Sequence, residues 1–371
     1  MDVEIKGPSD LENEVLKENL CTLCGACVGM CPYLVAYKGR VVMQDSCTLS
    51  QGRCYAFCPR TSVDLDKVSE AVFGFPYKLD GVGTMKEVIM ARSSDPNIRS
   101  GAQYGGVVTA LLSFALKEGF IDSAVLTRTQ KDLMPDGLLA QDSEEIIRCS
   151  GSNYVTSPTL EAFNREAKTH VEKVGVVGIP CQVLALGKMR VSPLEERNNI
   201  EKLALVIGLF CTWGLSYGEF LKFLQKEISI ADVVKFDIPP PPADIFEVYT
   251  SSDRISFPLD RIRSFIRPTC SYCIDMTAEF SDISVGSAEG IEGWNTVIIR
   301  SRKGADLIKE ARETGVLEID RLPKEKFNHL EEASLMKKKR ALQAIVENTN
   351  DKNNLLYLKM EKEKVEDLLS Q

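Results

Sequence analysis

Seven cysteines fall between positions 21 and 58 of a 371-residue chain, and they restrict its fold more than any other feature. The first four read Cys21-x-x-Cys24-x-x-Cys27-x-x-x-Cys31-Pro32. That is the spacing of a bacterial-type ferredoxin, in which three cysteines grip one iron–sulfur cluster and the fourth crosses to a neighbouring one. Gly25, Ala26 and Gly29 are small enough for the backbone to wrap closely and aim its amides at sulfide. Zinc is the competing reading, but zinc sites usually set two pairs of ligands far apart. A segment this short cannot bury a large core. Residues 21–66 are therefore expected to form a compact dicluster ferredoxin-like domain held together by its clusters.

The second half of the motif is irregular, reading Cys47-Thr-Leu-Ser50-Gln-Gly-Arg-Cys54-x-x-x-Cys58-Pro59. A complete motif would hold another cysteine between Cys47 and Cys54. Crosswise ligation assigns Cys21, Cys24, Cys27 and Cys58 to a first [4Fe–4S] cluster. It leaves Cys31, Cys47 and Cys54 for the second, which suits a [3Fe–4S] cluster or a [4Fe–4S] cluster with a non-cysteine ligand such as Ser50. One cluster with three spare thiols is the plainer alternative. The other five cysteines are scattered: Cys149, Cys181, Cys211, Cys270 and Cys273. Cys181 follows the apolar run Val174 to Ile179, Cys211 ends the run Leu203 to Phe210, and Cys270-Ser-Tyr-Cys273 alone has a metal-like spacing. The last four could converge on a further cluster, but spacing by itself favours buried structural cysteines.

Composition narrows the chemistry. Twelve cysteines without a secretory start point to metal or redox chemistry in a reducing compartment, not to disulfides. The opening MDVEIKGPSDLENEV is acidic and lacks an apolar h-region, so the expected location is cytoplasmic, with peripheral attachment to a membrane complex compatible with it. His170 and His329 are the only histidines, which leaves little material for histidine-based metal sites or acid–base catalysis. A net charge of −8 argues against nucleic acid as a partner. No apolar run reaches the length of about 18 residues that a membrane span needs.

The length corresponds to about two to three domains. Residues 1–20 read as a polar helical leader, and a linker around Gly74 to Gly83 leads from the ferredoxin-like unit into a larger body. In that body Gly105-Gly106 opens a helix ending near Gly119, and strands are expected at Ala124–Thr127, Gly175–Ile179 and Leu203–Leu209. Helices are expected over 160–173 and Tyr217–Glu227, a loop over Pro239–Pro242, and two strands within 281–300. This alternation makes the body mixed α/β. A charged helical tail covers 331–371, with Lys337-Lys338-Lys339-Arg340 read as a solvated face. No G-x-G-x-x-G, Walker A or H-E-x-x-H motif is present.

These residues resemble the beta subunits of coenzyme F420-reducing hydrogenase, F420-dependent formate dehydrogenase and reduced-F420 dehydrogenase. The resemblance is carried by Cys58-Pro59-Arg60, the segment Tyr104-Gly105-Gly106-Val107-Val108-Thr109-Ala110-Leu111-Leu112, Gly178-Ile179-Pro180-Cys181-Gln182, Gly208-Leu209-Phe210-Cys211, Cys270-x-x-Cys273 and Asp282-Ile283-Ser284-Val285-Gly286. It implies a flavin-binding region over 84–170 and a C-terminal region with a further cluster over 171–330. It also implies FAD, several [4Fe–4S] clusters and coenzyme F420 as substrate, with Cys181, Cys211, Cys270 and Cys273 sharing one [4Fe–4S] cluster near the flavin. Tyr104, Gly105, Gly106, Val107 and Thr109 resemble the loop and helix start that hold FAD. Gly151 to Tyr154 (with Ser152, Asn153 and Tyr154), Pro180 and Gln182, and the loop from Gly286 and Ser287 to Asn295 resemble further parts of the pocket. A lysine is common where Asn153 stands and an acidic residue where Ser287 stands.

The implied activity is hydride exchange with F420 and single-electron exchange with hydrogenase, formate dehydrogenase or heterodisulfide-reductase-like subunits. The chemistry is borne by the cofactors, with no catalytic side chain. A ferredoxin-dependent reductase of an unsaturated substrate and a flavin-free electron-wiring subunit are the alternatives.

Overall fold

The computed structural model describes residues 4–166, 171–239, 242–351 and 354–370. His170, Pro240 and Pro241 lie outside them, as does the stretch 167–170 within the helix expected over 160–173; its described part is Leu160–Glu166.

The body is organised by an eight-stranded sheet. Its strands are β1 (Glu87–Ser93), β2 (Ser123–Thr129), β3 (Pro135–Ala140), β4 (Val174–Gly178), β5 (Leu203–Leu209), β6 (Ile283–Ser287), β7 (Asn295–Ile299) and β8 (Leu317–Asp320). They lie in the order β8-β1-β7-β6-β5-β4-β2-β3. β2, β4, β5 and β6 run parallel, and antiparallel strands flank them on both sides. The parallel centre explains the unbroken apolar sequence of β4, whose five residues are all buried.

Alternate residues of these strands feed different cores. Ala124, Leu126, Val177 and Ile207 join helices α1 (Val107–Lys117) and α4 (Arg302–Glu313) on one face. Val125, Val174, Val176 and Val206 join helix α2 (Pro180–Val191) on the other. A third core gathers helix α3 (Tyr217–Glu227) and a three-stranded sheet of Val233–Asp237, Ile245–Thr250 and Arg254–Pro258.

The N-terminal unit has short regular elements, including a hairpin of Leu34–Tyr37 and Arg40–Met43. It is not a bead on a linker. Leu23, Ala26 and Phe57 share one core with Leu160, Phe163, Val183 and Leu184 of the body. Asn164 Nδ2 donates to the carbonyls of Gly25, Ala26 and Val28 at 3.1, 3.0 and 2.6 Å. Gly25 has φ +88°, and a Cβ there would stand 2.3 Å from the Pro158 carbonyl oxygen, so this turn tolerates only glycine.

The tail departs furthest from expectation. Helix α5 (Lys324–Thr349) leads to a short strand, Leu358–Lys359, that pairs in parallel with Val63–Asp64 of the N-terminal unit. The run 337–340 is not a solvated face: Lys337 is 4% and Lys338 0% exposed. The helical repeat puts them on the same stripe as Ser334, Ala341, Leu342 and Ile345, which are also buried. Among the described residues no helix is long and apolar enough to cross a membrane.

Candidate functional site

The carboxyl ends of parallel strands are where an open α/β sheet leaves room for ligands. Cys181 stands in the first turn of α2, directly behind β4. Cys211 follows β5 by two residues, and Cys270 and Cys273 lie at the one-turn helix Pro268–Tyr272 ahead of β6. These four thiols form one electrostatic group: Cys181 feels Cys273 and Cys270, and Cys211 feels Cys270, Cys181 and Cys273. The sequence could not choose between convergence and scatter here; the fold brings them together. Burial, then the neighbouring thiols, pushes the Cys181 thiol up to about 12. For Cys273 burial acts in the same direction, but Lys337 and Arg60 outweigh it and hold the thiol below its ordinary range.

The N-terminal cysteines lie close together. Cys27 is within electrostatic reach of Cys21, Cys24 and Cys58 and also of Cys54, and Cys54 is within reach of Cys31 and Cys47 and also of Cys58, so the two sets expected from crosswise ligation adjoin. The first set abuts the body set, since Cys24 lies within electrostatic reach of Cys181. Buried basic side chains occupy the surroundings. Lys188 Nζ donates to Thr61 O at 3.0 Å and Ser62 O at 2.9 Å, beside Cys58 and Cys24. Arg60 donates to the Thr269 hydroxyl and carbonyl at 2.9 and 3.1 Å, and its guanidinium lies 4.5 Å from the Tyr357 ring centroid.

All twelve cysteines are free thiols. Among the described residues no three His, Cys, Asp or Glu side chains close around a point suited to one metal ion. A mononuclear zinc site draws its ligands onto one ion, whereas an iron–sulfur cluster takes each thiolate at a different iron and so keeps the sulfurs apart. Thiolates gathered at low dielectric need positive charge nearby. A cationic iron core, with Arg60 and Lys337 around it, suits that need, whereas burial pulls Lys188 down to about 7. The donor sets therefore fit clusters.

The residues expected around a flavin fall on the same rim in two linked groups. Tyr104 reaches Ser287, and burial, then Asp237, raises its phenol. Asn295 Nδ2 donates to Gly286 O at 3.0 Å, while its Oδ1 accepts from Val107 N at 3.4 Å. Gly106, at φ +73°, has no side chain of its own to cap α1; Asn295 takes the Val107 amide, and the following first-turn amides are of a kind that attract phosphate. Glycine is also needed there for packing, since a Cβ would stand 2.9 Å from Ile98 Cγ2.

Gln103 joins the second group to the first. Its Nε2 donates to the Tyr154 hydroxyl at 2.6 Å and to Asp237 Oδ1 at 2.5 Å, and its Oε1 accepts from Ser152. Asn153 caps its own turn through Val155 N at 3.0 Å. Val107 and Thr109 are buried in α1, and Gln182 spends its amide on Ile179 N and Ser157 O at 2.9 and 3.1 Å. Pro180 lines a small apolar cavity with Cys181, Cys273 and Tyr357. Gly151, at φ +98°, opens onto free space. Gln103 and Lys188 were not singled out from sequence; Arg60 and Asn295 stood only within segments that carry the resemblance, and Lys337 was read as part of a solvated face although its place on the apolar stripe of α5 is a sequence signal.

Comparison with known proteins bears on this site. Residues 171–325 match the family model for the C terminus of the coenzyme F420 hydrogenase/dehydrogenase beta subunit, and residues 88–164 match its N-terminal counterpart. The chain is 34% identical over 266 residues to coenzyme F420 hydrogenase subunit beta of Methanothermobacter thermautotrophicus, covering 70% of this chain and 94% of that one. It is 31% identical over 309 residues to coenzyme F420-dependent sulfite reductase of Methanocaldococcus jannaschii, covering 80% of this chain but only 46% of that protein. A chain of the F420-reducing [NiFe] hydrogenase complex from Methanosarcina barkeri superposes with a TM-score of 0.68 at 29% identity, covering 72% of this chain and 94% of that one.

Proposed function

Since this chain belongs to the coenzyme F420 hydrogenase/dehydrogenase beta subunit family, we propose that it is an oxidoreductase subunit binding FAD and iron–sulfur clusters, exchanging hydride with coenzyme F420 and single electrons with a partner subunit. The observation that carries this reading is the convergence of Cys181, Cys211, Cys270 and Cys273, two of which follow the carboxyl ends of β4 and β5 in the sheet whose strand β1 leads into the Gly106 helix start. Bound FAD would supply the conversion between hydride and single-electron chemistry, and the clusters would supply one-electron carriers.

The chain's own residues have positional tasks. First-turn amides of α1 would hold the dinucleotide phosphates, with Asn295 fixing that turn against β7. Gln103 would hold Tyr154 against the rim beside Trp213, whose ring centroid is 6.3 Å from that of Tyr154. Cys181, Cys211, Cys270 and Cys273 would ligate one [4Fe–4S] cluster, and Cys21, Cys24, Cys27 and Cys58 another next to it. Cys31, Cys47 and Cys54 would ligate the outermost cluster. Tyr33, Tyr37, Val42 and Leu49 in the surrounding segment are exposed, and there we place the contact with a hydrogenase, formate dehydrogenase or heterodisulfide-reductase-type subunit.

Acid extraction of the anaerobically purified chain should release FAD, iron and sulfide. The reduced protein should then bleach the deazaflavin absorbance band of added F420. Iron without FAD would identify an electron-wiring subunit instead. FAD without F420 turnover, in a chain reducible by ferredoxin, would move the substrate to another class.

A further inference from the structure

Helix α5 begins where the C-terminal family match ends, yet it sends two ammonium groups into the interior. Lys338 has an evident partner: it donates to Glu279 and to the Tyr77 hydroxyl, the latter at 2.9 Å. Lys337 does not turn to a carboxylate. Its Nζ donates to the Cys211 carbonyl at 2.7 Å and to the Asp275 carbonyl at 2.7 Å. Asp275 follows Cys273 by two residues, and its carboxylate turns back on its own loop, accepting from Thr277 N and Glu279 N at 2.9 Å each. One ammonium, 4% exposed, thus ties together the backbones of two thiol-bearing loops that are far apart in sequence.

A cluster becomes more negative by one charge when it accepts an electron. A fixed cation in a poorly screened interior favours that state and raises the potential. The other buried cation near these thiols, Arg60, is engaged with Thr269 and stacked on Tyr357, within reach of Cys273 and Cys181. Lys337 comes from a different element, the tail helix, and alone among these groups bonds the backbones of both the Cys211 and Asp275 loops. We propose that Lys337 is a positioning residue of the Cys181, Cys211, Cys270 and Cys273 centre: its ammonium holds the Cys211 and Cys273 loops together and raises the reduction potential of the cluster they ligate. This rests on the cluster assignment proposed above.

The test is an electron paramagnetic resonance titration of the full chain against solution potential. The centre is identified as the signal that Cys270→Ser removes. Lys337→Met should lower the midpoint of that signal alone, Lys337→Arg should restore it, and Arg340→Met, which removes an exposed charge one turn away, should leave it in place. An unchanged midpoint in Lys337→Met with iron retained overturns the proposal, as does a drop that Lys337→Arg shares. If Lys337→Met loses the cluster, Lys337→Gln, which can still donate to a carbonyl, is titrated in its place and read by the same two criteria. A parent chain from which Cys270→Ser removes no iron would fail at the earlier step, since the centre itself would not exist.

Discussion

The four cysteines at the strand ends and the three at the N-terminal surface are both sulfur sets, but their surroundings differ in kind. Cys181, Cys211, Cys270 and Cys273 are drawn from three separated parts of the chain, with Arg60 and Lys337 beside them and Tyr357 closing the cavity that Cys181 and Cys273 line. Cys31, Cys47 and Cys54 come from one stretch of sequence; Cys31 and Cys47 are half-buried, and their segment carries the exposed Tyr33, Tyr37, Val42 and Leu49. A ligand set built by tertiary structure comes with walls and charges that can tune what it holds. One built by local spacing can sit at the edge, where a partner can reach it.

The largest effects expected from this contrast concern cluster content. Cys211→Ser should remove one cluster's worth of iron and sulfide per chain, and Cys47→Ser should remove only the surface centre. Cys149→Ser should remove none, because its charged neighbours are Arg128, Asp136, Glu145 and Arg148, not thiols. Iron and sulfide analysis of the three purified variants checks this. A loss in Cys149→Ser matching that in Cys211→Ser would break the assignment.

A smaller effect concerns the wall of the enclosed set. Lys338 and Glu279 form an ion pair whose side chains are 0% and 1% exposed. Removing one partner of such a pair leaves an uncompensated buried charge and typically costs about 3–5 kcal/mol. Lys338→Met should therefore lower denaturant stability by about that much, and adding Glu279→Leu should recover most of it. At the exposed hairpin, Arg40→Met should change stability by no more than about 0.5 kcal/mol. Equal losses at the two places would erase the distinction between enclosed and surface regions.

The smallest effect decides the irregular motif. Ser50 is exposed, so Ser50→Ala should leave the spectrum of the surface centre unchanged. A changed spectrum with iron retained would make Ser50 the fourth ligand.

Much of this was legible in the sequence, and for identifiable reasons. The grouping of the N-terminal cysteines could be read because they obey a local spacing, and the strands β4 and β5 because parallel central strands are apolar throughout. The body set was hidden from spacing, since β5, α3 and the three-stranded sheet intervene between Cys181 and Cys270; only the family resemblance suggested it. Lys337 and Lys338 were misread for a different reason. Four consecutive basic residues look like a polar surface, but at helical spacing two of them share the stripe of Ala341, Leu342 and Ile345. Gln103 had no signal and Asn295 only its place at the end of a loop carried by the resemblance, because their partners are fixed only by the closure of the sheet.

The pairing of Leu358 with Val63, and the bond from Val63 N to Tyr357 O at 2.7 Å, has a consequence for how this protein is made. The ferredoxin-like thiols emerge early from the ribosome, but the strand that docks on their unit and the tyrosine that covers Arg60 emerge near the end of synthesis. Contacts of such long sequence separation form slowly, and domains otherwise settle from the N-terminus onward. The nascent chain therefore passes through an interval in which its sulfur ligands are complete and the last wall around them is still unmade. For the clusters proposed above, iron and sulfide arriving in that interval would meet open sites, whereas the finished chain would present them behind its docked tail.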